Sequence, residues 1–427
     1  MGMRRSLSRF DITCLGLNAI VGSGIFALPD DLYRHLGVLS PLAFVCCLVG
    51  LMPVAWCYAA AAGAVDRSGG PYVYASEAFG PRVGFGVGWM CFANSVFSFA
   101  AVACGAAAYA ARLVPALGPW PLQKLVAVIV VAVFAALNYR GARPGALAVD
   151  GFTAGKFLVL LLLIAVLVPR VSAEHFQDVQ APELGALGKA TFIALFAAQG
   201  FEVVPVPAGE ARMPQRDVPF AVLSSLAGAS VLYIIVQTVL VGSSGAQLAT
   251  PGDAPLADAA RQIAPALGIV IAIGGLVSML GFVSGSALGT PRYLFAAASA
   301  GQLPKRLAAT HPRFGSPHFA VLATAAIAIG CLLPFDYRKL IGMSNVAVAV
   351  QYLATCLAVY KFQRGKAFGW RTLMPWIGAA VSLWIFTEAT LEELVWAGAS
   401  LLVGGVLVTL TKALSKDAQP RAIAGRE

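Results

Sequence analysis

Charge is what this 427-residue sequence has least of: only 12% of its residues are Asp, Glu, Lys or Arg, where about 25% is ordinary in a soluble domain. Paired cysteine motifs are missing too. The eight cysteines form no CxxC pair and lie inside apolar stretches, which reads as small buried hydrophobes rather than a disulfide framework or a metal site. The four histidines, His35, His175, His311 and His318, sit in connectors or at their edges with no metal-ligand spacing, so no metal is expected. Neither HExxH nor GxSxG occurs, and no nucleophile–base pair suggests itself, which sets aside a membrane-embedded enzyme. No cofactor is called for either. The glycine run GFGVG (84–88) follows no strand and is not a dinucleotide loop.

What the sequence has in abundance is apolar length. Hydrophobic residues make up 59% of it, and blocks of roughly 20 such residues, enough to cross a bilayer as a helix, recur from end to end. The pattern is that of an all-α polytopic membrane protein; a transmembrane barrel would show short alternating strands. Twelve spans are expected, at about 11–35, 40–64, 82–112, 121–139, 146–169, 187–211, 218–243, 262–298, 317–334, 339–361, 372–389 and 392–413. The basic start, MGMRRSLSRF, precedes no cleavage site and soluble domain, so the first span reads as uncleaved. The connectors on the side of both termini hold 21 of the 30 Lys and Arg. That bias puts both termini in the cytoplasm of a multi-pass protein of the cell inner (plasma) membrane. The formal charge of +10 thus reflects topology facing anionic lipid and not a nucleic-acid partner.

Two spans are interrupted in their middles. The first carries IVGSGIF (20–26). The sixth carries Gln199-Gly200-Phe201-Glu202 followed by Pro205 and Pro207, and proline cannot continue a helix. Free backbone in hydrocarbon is costly unless it lines a cavity. Spans 1 and 6 open two five-span halves, and matched interruptions point to a 5+5 inverted-repeat transporter with a midplane site. N–H groups at Gly22, Ser23 and Gly24 suit a carboxylate. Carbonyls near Ile20 and at Phe196, Ala197 and Gln199 suit an ammonium. Bare donors beside bare acceptors fit an α-amino acid zwitterion, whereas a channel would need a continuous polar lining.

These residues resemble the amino acid–polyamine–organocation superfamily of permeases, which share the leucine-transporter fold. The resemblance lies in IVGSGIF (20–26), SGGPYVYASEAFGPRVGFGVGW (68–89), GFE (200–202), GEARMPQRDVP (209–219) and GTPRYLFAAASAGQLPKRLAATHPRFGSP (289–317), in order, about a quarter of the chain. It implies that Ser23 and Gly24 bind the substrate carboxylate and that Ile20 with the span 6 carbonyls takes the amino group. It also implies that Phe196 is an aromatic lid and that Glu202 takes part in gating. Lys156 would stand where sodium-coupled relatives bind an ion, reaching span 1 carbonyls and the span 8 hydroxyls of Ser284 and Ser286. One departure is SAGQLP (299–304), where many members have an Arg-Asp-Gly-type sequence. The organisation expected is a first repeat over 1–170, a second over 187–361, spans 11 and 12 over 372–413 and a cytoplasmic tail over 414–427.

The side-chain pocket is expected from spans 1, 3, 6, 8 and 10, with Asn94, Gly200 and Ser286 among its residues. Apart from Glu202 it offers no acidic group for a cationic tail, which favours a neutral amino acid. Transport is expected to be secondary active and sodium-independent, coupled to protons or run as exchange. The alternatives are a carrier of cationic amino acids or polyamines read by Glu202, and an amino acid sensor without flux. Oligomeric state, substrate identity and direction stay open.

Overall fold

The computed structural model describes residues 7–417 apart from 66–68, 178, 180–181, 209–210, 251, 253 and 366–368, with the side chains of 142–154 and 414–417 also outside the description. Ser68, Gly209 and Glu210 of the quoted motifs, the basic residues Arg4, Arg5, Arg67 and Lys366, and the tail beyond 417 therefore lie outside the described residues. Within them the only non-helical pairing is an isolated bridge between Leu7 and Ala211.

The α-helices run in the order α1 (Arg9–Ile20), α2 (Gly24–Ala27), α3 (Pro29–Leu36), α4 (Pro41–Ala64), α5 (Pro71–Phe79), α6 (Pro81–Leu113), α7 (Trp120–Tyr139) and α8 (Ala142–Leu167). There follow α9 (Ala186–Ala198), α10 (Pro214–Ser244), α11 (Pro255–Ile263), α12 (Pro265–Gly289), α13 (Pro291–Ser299), α14 (His318–Leu332), α15 (Tyr337–Phe362), α16 (Trp370–Glu388) and α17 (Leu391–Asp417). Proline opens many of them, as at Pro29, Pro41, Pro81 and Pro214. There its fixed φ is already helical and its missing N–H would have had no partner anyway.

Eight stretches among the described residues are long and apolar enough to cross a membrane: Arg9–Ala27, Pro41–Ala64, Pro81–Leu113, Trp120–Tyr139, Pro214–Ala249, Pro265–Ser299, Tyr337–Phe362 and Leu391–Ala413. The chain is thus a multi-pass helical membrane protein. Two differences from the sequence expectation matter. The stretch 11–35 is interrupted at 21–23 as expected, and is divided a second time at Leu28, so that it holds three helices. The stretch 187–211 is helical only to Ala198; Phe201–Val203 form a 3-10 turn and no α-helix follows before Pro214. Pro205 and Pro207, spaced by one residue, deny the chain the successive N–H donors that a second half-helix requires.

Burial ranks the helices. The apolar window of α6 is 89% buried and that of α15 78%, against 11% for Leu391–Ala413, so α6 and α15 form the centre and α17 the rim. α6 packs along α15 and α12, α10 packs along α4 and α1, and α12 also lies against α8. This arrangement holds the interrupted segments at 21–23 and 199–203 in the interior, where Val21, Ser23, Gln199, Phe201 and Glu202 are all buried.

Candidate functional site

The site begins with what each interruption leaves undone. α1 ends when Val21 turns out of the helix at φ −72°, ψ 81°, and Gly22 N–H donates back to Ile20 O at 2.7 Å. The N–H groups of Ser23, Gly24 and Ile25 then donate to no backbone carbonyl within the described residues. α9 ends at Ala198, with Gln199 extended and Gly200 at φ 126°. Gly200 N–H would have capped the Phe196 carbonyl, but it donates to Glu202 Oε2 at 2.8 Å. The carbonyls of Phe196, Ala197, Ala198 and Gln199 accordingly accept no backbone hydrogen bond among the described residues. Unsatisfied groups of this kind cost several kcal/mol each in hydrocarbon, roughly the scale that makes an unoccupied break unfavourable without a cavity.

The two breaks touch. A Cβ on Gly24 would lie 2.5 Å from Ala197 Cα, and one on Gly200 would lie 2.6 Å from Ala19 C and Ile20 N. The breaks, each with backbone groups that have no backbone partner, are thus brought into direct contact. Beside them is a cavity of about 750 Å³, lined among others by Gly22, Ser23, Asn94, Phe196, Glu202 and Ser286. Its lining continues to the exposed residues Leu15, Gly289 and Arg292, so it opens toward the face that carries the start of α1. On the opposite side it is closed. There the Phe196 ring meets the edge of the Tyr337 ring, 6.3 Å between centroids. Arg338 donates to Asp31 at 2.8 Å, and Arg34 pairs with Asp30 at 3.3 Å and with Asp31.

The sequence-derived residues separate into three groups. Gly22, Ser23, Gly24, Phe196, Gln199, Gly200, Glu202, Asn94 and Ser286 all line the cavity, and Ala197 packs behind Gly24. Ile20 also lines it, but its carbonyl already accepts from Gly22 N–H and from Tyr233 Oη at 2.9 Å. An ammonium there would have to displace one of these. Asn94 and Gln199 are engaged with protein as well. Ser344 Oγ lies 2.6 Å from Asn94 Oδ1, 2.8 Å from Ser98 Oγ and 3.2 Å from Gln199 Oε1. Gln199 Nε2 donates to Asn345 Oδ1 at 2.6 Å, and Asn345 Nδ2 donates to Phe192 O at 2.7 Å. This buried network ties α6, α9 and α15 together at the cavity wall, and networks satisfied to this degree rigidify what they join.

Lys156 lies outside the cavity lining, buried between helices, and donates to Asn18 O at 2.7 Å. Gly22 N–H, the ordinary helical donor to that carbonyl, has turned to Ile20. Glu202 is buried with Oε2 accepting from Gly200 N–H and from Tyr352 Oη at 3.2 Å. Behind it, Phe201 stacks on Tyr352 at 5.3 Å and Tyr58 stands edge-on to both.

Sequence reasoning missed several residues. Ser98 stands one helical turn after Asn94, a spacing that puts both on one face. Phe282 lies against Gly22, 3.2 Å from where a Cβ would be, and no local pattern marks it out. Ser278 Oγ donates to Gly22 O at 3.3 Å; it is two turns before Ser286 on α12, a usable signal.

Comparison with known proteins adds a direct finding. A family model described as amino acid permease matches residues 7–392. The branched-chain amino acid permease BcaP of Bacillus subtilis is 26% identical over 384 residues, covering 84% of this chain and 82% of that one. An uncharacterized transporter of Mycobacterium tuberculosis is 30% identical over 417 residues, covering 95% and 90%. The methylthioribose transporter of Bacillus subtilis is 24% identical over 428 residues, covering 94% and 93%.

Proposed function

We propose, from the premise that this chain belongs to the amino acid permease family, that it carries neutral amino acids across the membrane by alternating access. The family is one of transporters, and the chain is not an enzyme. One observation supports the reading of the site: the two breaks touch, and the N–H groups at 23–25 and the carbonyls at 196–199 have no backbone partner among the described residues. A zwitterion satisfies both sets at once, with its carboxylate on the donors and its ammonium on the acceptors, and the protein needs no charged side chain to hold it. Helix termini and unwound carbonyls are the groups that such sites use.

Twelve spans, in two inverted sets of five followed by α16 and α17, fit this reading, with α8, α9, α14 and α16 supplying the four beyond the long apolar stretches. With the basic connectors in the cytoplasm, the cavity opens inward and the Phe196–Tyr337 contact and the Asp30, Asp31, Arg34 and Arg338 pairs close the outside. Alternating access then requires these outer contacts to part while the segments around Leu15 and Arg292 come together.

A neutral substrate is favoured because the one acidic group on the cavity wall among the described residues is already used. Glu202 Oε2 holds Gly200 and Tyr352, so a cationic tail would have to compete with the break itself. The similarity to a permease named for branched-chain amino acids supports an apolar side chain. The test is counterflow of labelled L-leucine into liposomes holding the purified protein. Unlabelled neutral amino acids are expected to compete better than arginine or putrescine. The reverse ranking would favour a cationic substrate, saturable binding without exchange a sensor, and competition by methylthioribose alone a different cargo altogether.

A further inference from the structure

Asp30 and Asp31 stand side by side at the start of α3, yet the outer closure serves them unequally. Both are buried, Asp30 to 1% exposure and Asp31 to 8%. Arg338 Nε donates to Asp31 Oδ2 at 2.8 Å, and Arg34 bonds Asp31 Oδ1. Asp30 receives what is left, and all of it on one oxygen. Its Oδ2 lies 3.3 Å from Arg34 and 3.8 Å from Arg338, and Gly252 N–H donates to it at 3.4 Å. Asp30 Oδ1 is buried without a hydrogen-bond partner among the described residues. A carboxylate oxygen that has left water and gained no donor is costly, and a proton relieves it.

The other groups around Asp30 do not make up the deficit. On α15, Asp336 caps the helix, Lys339 pairs with Glu392, and Tyr337 brings a phenol and no charge. On α11, Asp258 pairs with Arg112 of α6 at 2.8 Å. Asp258 Oδ2 lies 2.7 Å from where a Cβ on Gly252 would be, so a third carboxylate borders the same turn. Arg261, at the far end of α11, packs against Gly268. Tyr109 of α6 donates to Phe26 O, and Gln237 of α10 donates to Pro29 O at 3.1 Å. The charge of Lys189 on α9 bears on His35, further along α3. The turn Gly245–Ala249 carries no charged side chain, and Asp253 lies outside the described residues.

Asp30 lies beyond the apolar stretch Arg9–Ala27. Burial first, and then the Asp31 carboxylate, push it up to about 6 against the pull of Arg34 and Arg338. With the outer end open, water reaches the carboxyl and restores its ordinary value of about 4. Proton affinity is therefore higher in the closed form, and a ligand that binds one form better draws the equilibrium toward it. Acid thus favours closure. The effect sets in as pH falls through about 6 and is complete below about pH 4.

We propose that Asp30 is a proton-binding residue of the outer closure, taking a proton onto Oδ1 from outside water as α3 meets α15 and returning it there when they part. This deepens the reading above and rests on its outer closure. Asp31 keeps both arginines, whose side chains are 27% exposed at Arg34 and 56% at Arg338, so water takes up the surplus positive charge. The proton goes back to the side it came from. Asp30 therefore sets which way the carrier faces and does not couple a proton gradient to flux.

Two measurements on the purified full chain in lipid test this. The first is infrared difference spectroscopy over pH, which reads the carbonyl stretch of a protonated carboxyl. A band titrating at about 6 is expected in the wild type and is expected to be missing in Asp30→Asn. Asp31→Asn removes the neighbouring carboxylate and releases both arginines toward Asp30, so there the midpoint is expected to fall. The second is leucine exchange in liposomes with the same pH on both sides, so that no gradient drives it. Between about pH 7.5 and about pH 5.5 the ratio of closed to open rises about fourfold, and exchange is expected to slow by up to that factor. Asp30→Asn, held in the neutral form, is expected to stay at the acid rate throughout. A band that survives in Asp30→Asn, a midpoint that holds or rises in Asp31→Asn, or equal pH dependence of exchange in wild type and Asp30→Asn overturns the assignment and leaves the carrier reading intact. A wild type that exchanges no amino acid overturns the carrier reading, and the infrared band still decides where the proton sits.

Discussion

Gly200→Ala is expected to reduce amino acid transport below about 1% of the wild-type rate while the protein stays folded in the membrane. The argument is steric and local. Gly200 holds φ 126°, a region that costs a residue with a side chain about 1–3 kcal/mol. The added methyl would in addition lie 2.6 Å from Ala19 C and Ile20 N and 2.7 Å from Ala19 O. All three are backbone atoms, so no rotamer change relieves the contact. Either the second break moves off the first or Gly200 abandons its turn. In both cases Gly200 N–H leaves Glu202, and the contact that sets the second break against the first is lost. Each 1.4 kcal/mol is worth about a factor of ten, and strain plus misalignment together exceed two such factors. Gly330→Ala is the control. Gly330 lies in α14 with nothing within 4 Å of its would-be Cβ, so full transport is expected there. Initial uptake rates normalised to monodisperse protein make the comparison; a Gly200→Ala variant within twofold of wild type would falsify the cradle.

What could be read from sequence was whatever leaves a one-dimensional mark. Apolar length placed Pro41–Ala64, Pro81–Leu113 and Tyr337–Phe362 to within a few residues, because hydrocarbon thickness dictates helix length. The breaks were visible for the same kind of reason: glycine around Ser23 and a glycine–proline run after Gln199 are local departures from helix chemistry. The course of the chain after the second break was not visible. Pro205 and Pro207 announce that the helix stops, but whether a second half-helix resumes depends on which neighbours supply hydrogen bonds, and α10 begins only at Pro214.

The candidate site was legible at its backbone and opaque at its side chains. Ser23, Gly24 and Phe196 follow from where the helices end, whereas Ile20, Asn94 and Gln199 each have an appetite for hydrogen bonds that several partners could meet. Only packing shows that Tyr233 reaches the Ile20 carbonyl and that Ser344 and Asn345 engage the two amides. Phe282 and Tyr337 come from helices distant in sequence, and an aromatic residue in an apolar helix carries no sign of which cavity it faces.

Lys156→Ala is expected to lower transport by at least tenfold, and wild-type transport is expected to proceed at the same rate whether sodium or choline is the external cation. The Lys156 ammonium is buried and donates at 2.7 Å to the Asn18 carbonyl, the acceptor from which Gly22 N–H turns to Ile20. Removing it takes away the side-chain hydrogen bond to that carbonyl, a loss of about 1–3 kcal/mol, and leaves a void beside the first break. A charged donor from α8 therefore holds the break in shape from behind, at a place where a monovalent cation could otherwise do so by accepting carbonyl oxygens into its coordination shell. On the proposed reading, the lysine takes the place of the ion, and the transport rate is expected not to depend on sodium. Lys156→Met separates the two parts of this argument, since it fills the space but donates nothing. If the hydrogen bond matters, Met fails as Ala does; if only packing matters, Met transports normally. A sodium gradient that drives uptake in the wild type, together with a Lys156→Ala variant at full rate, would remove the lysine from the coupling altogether.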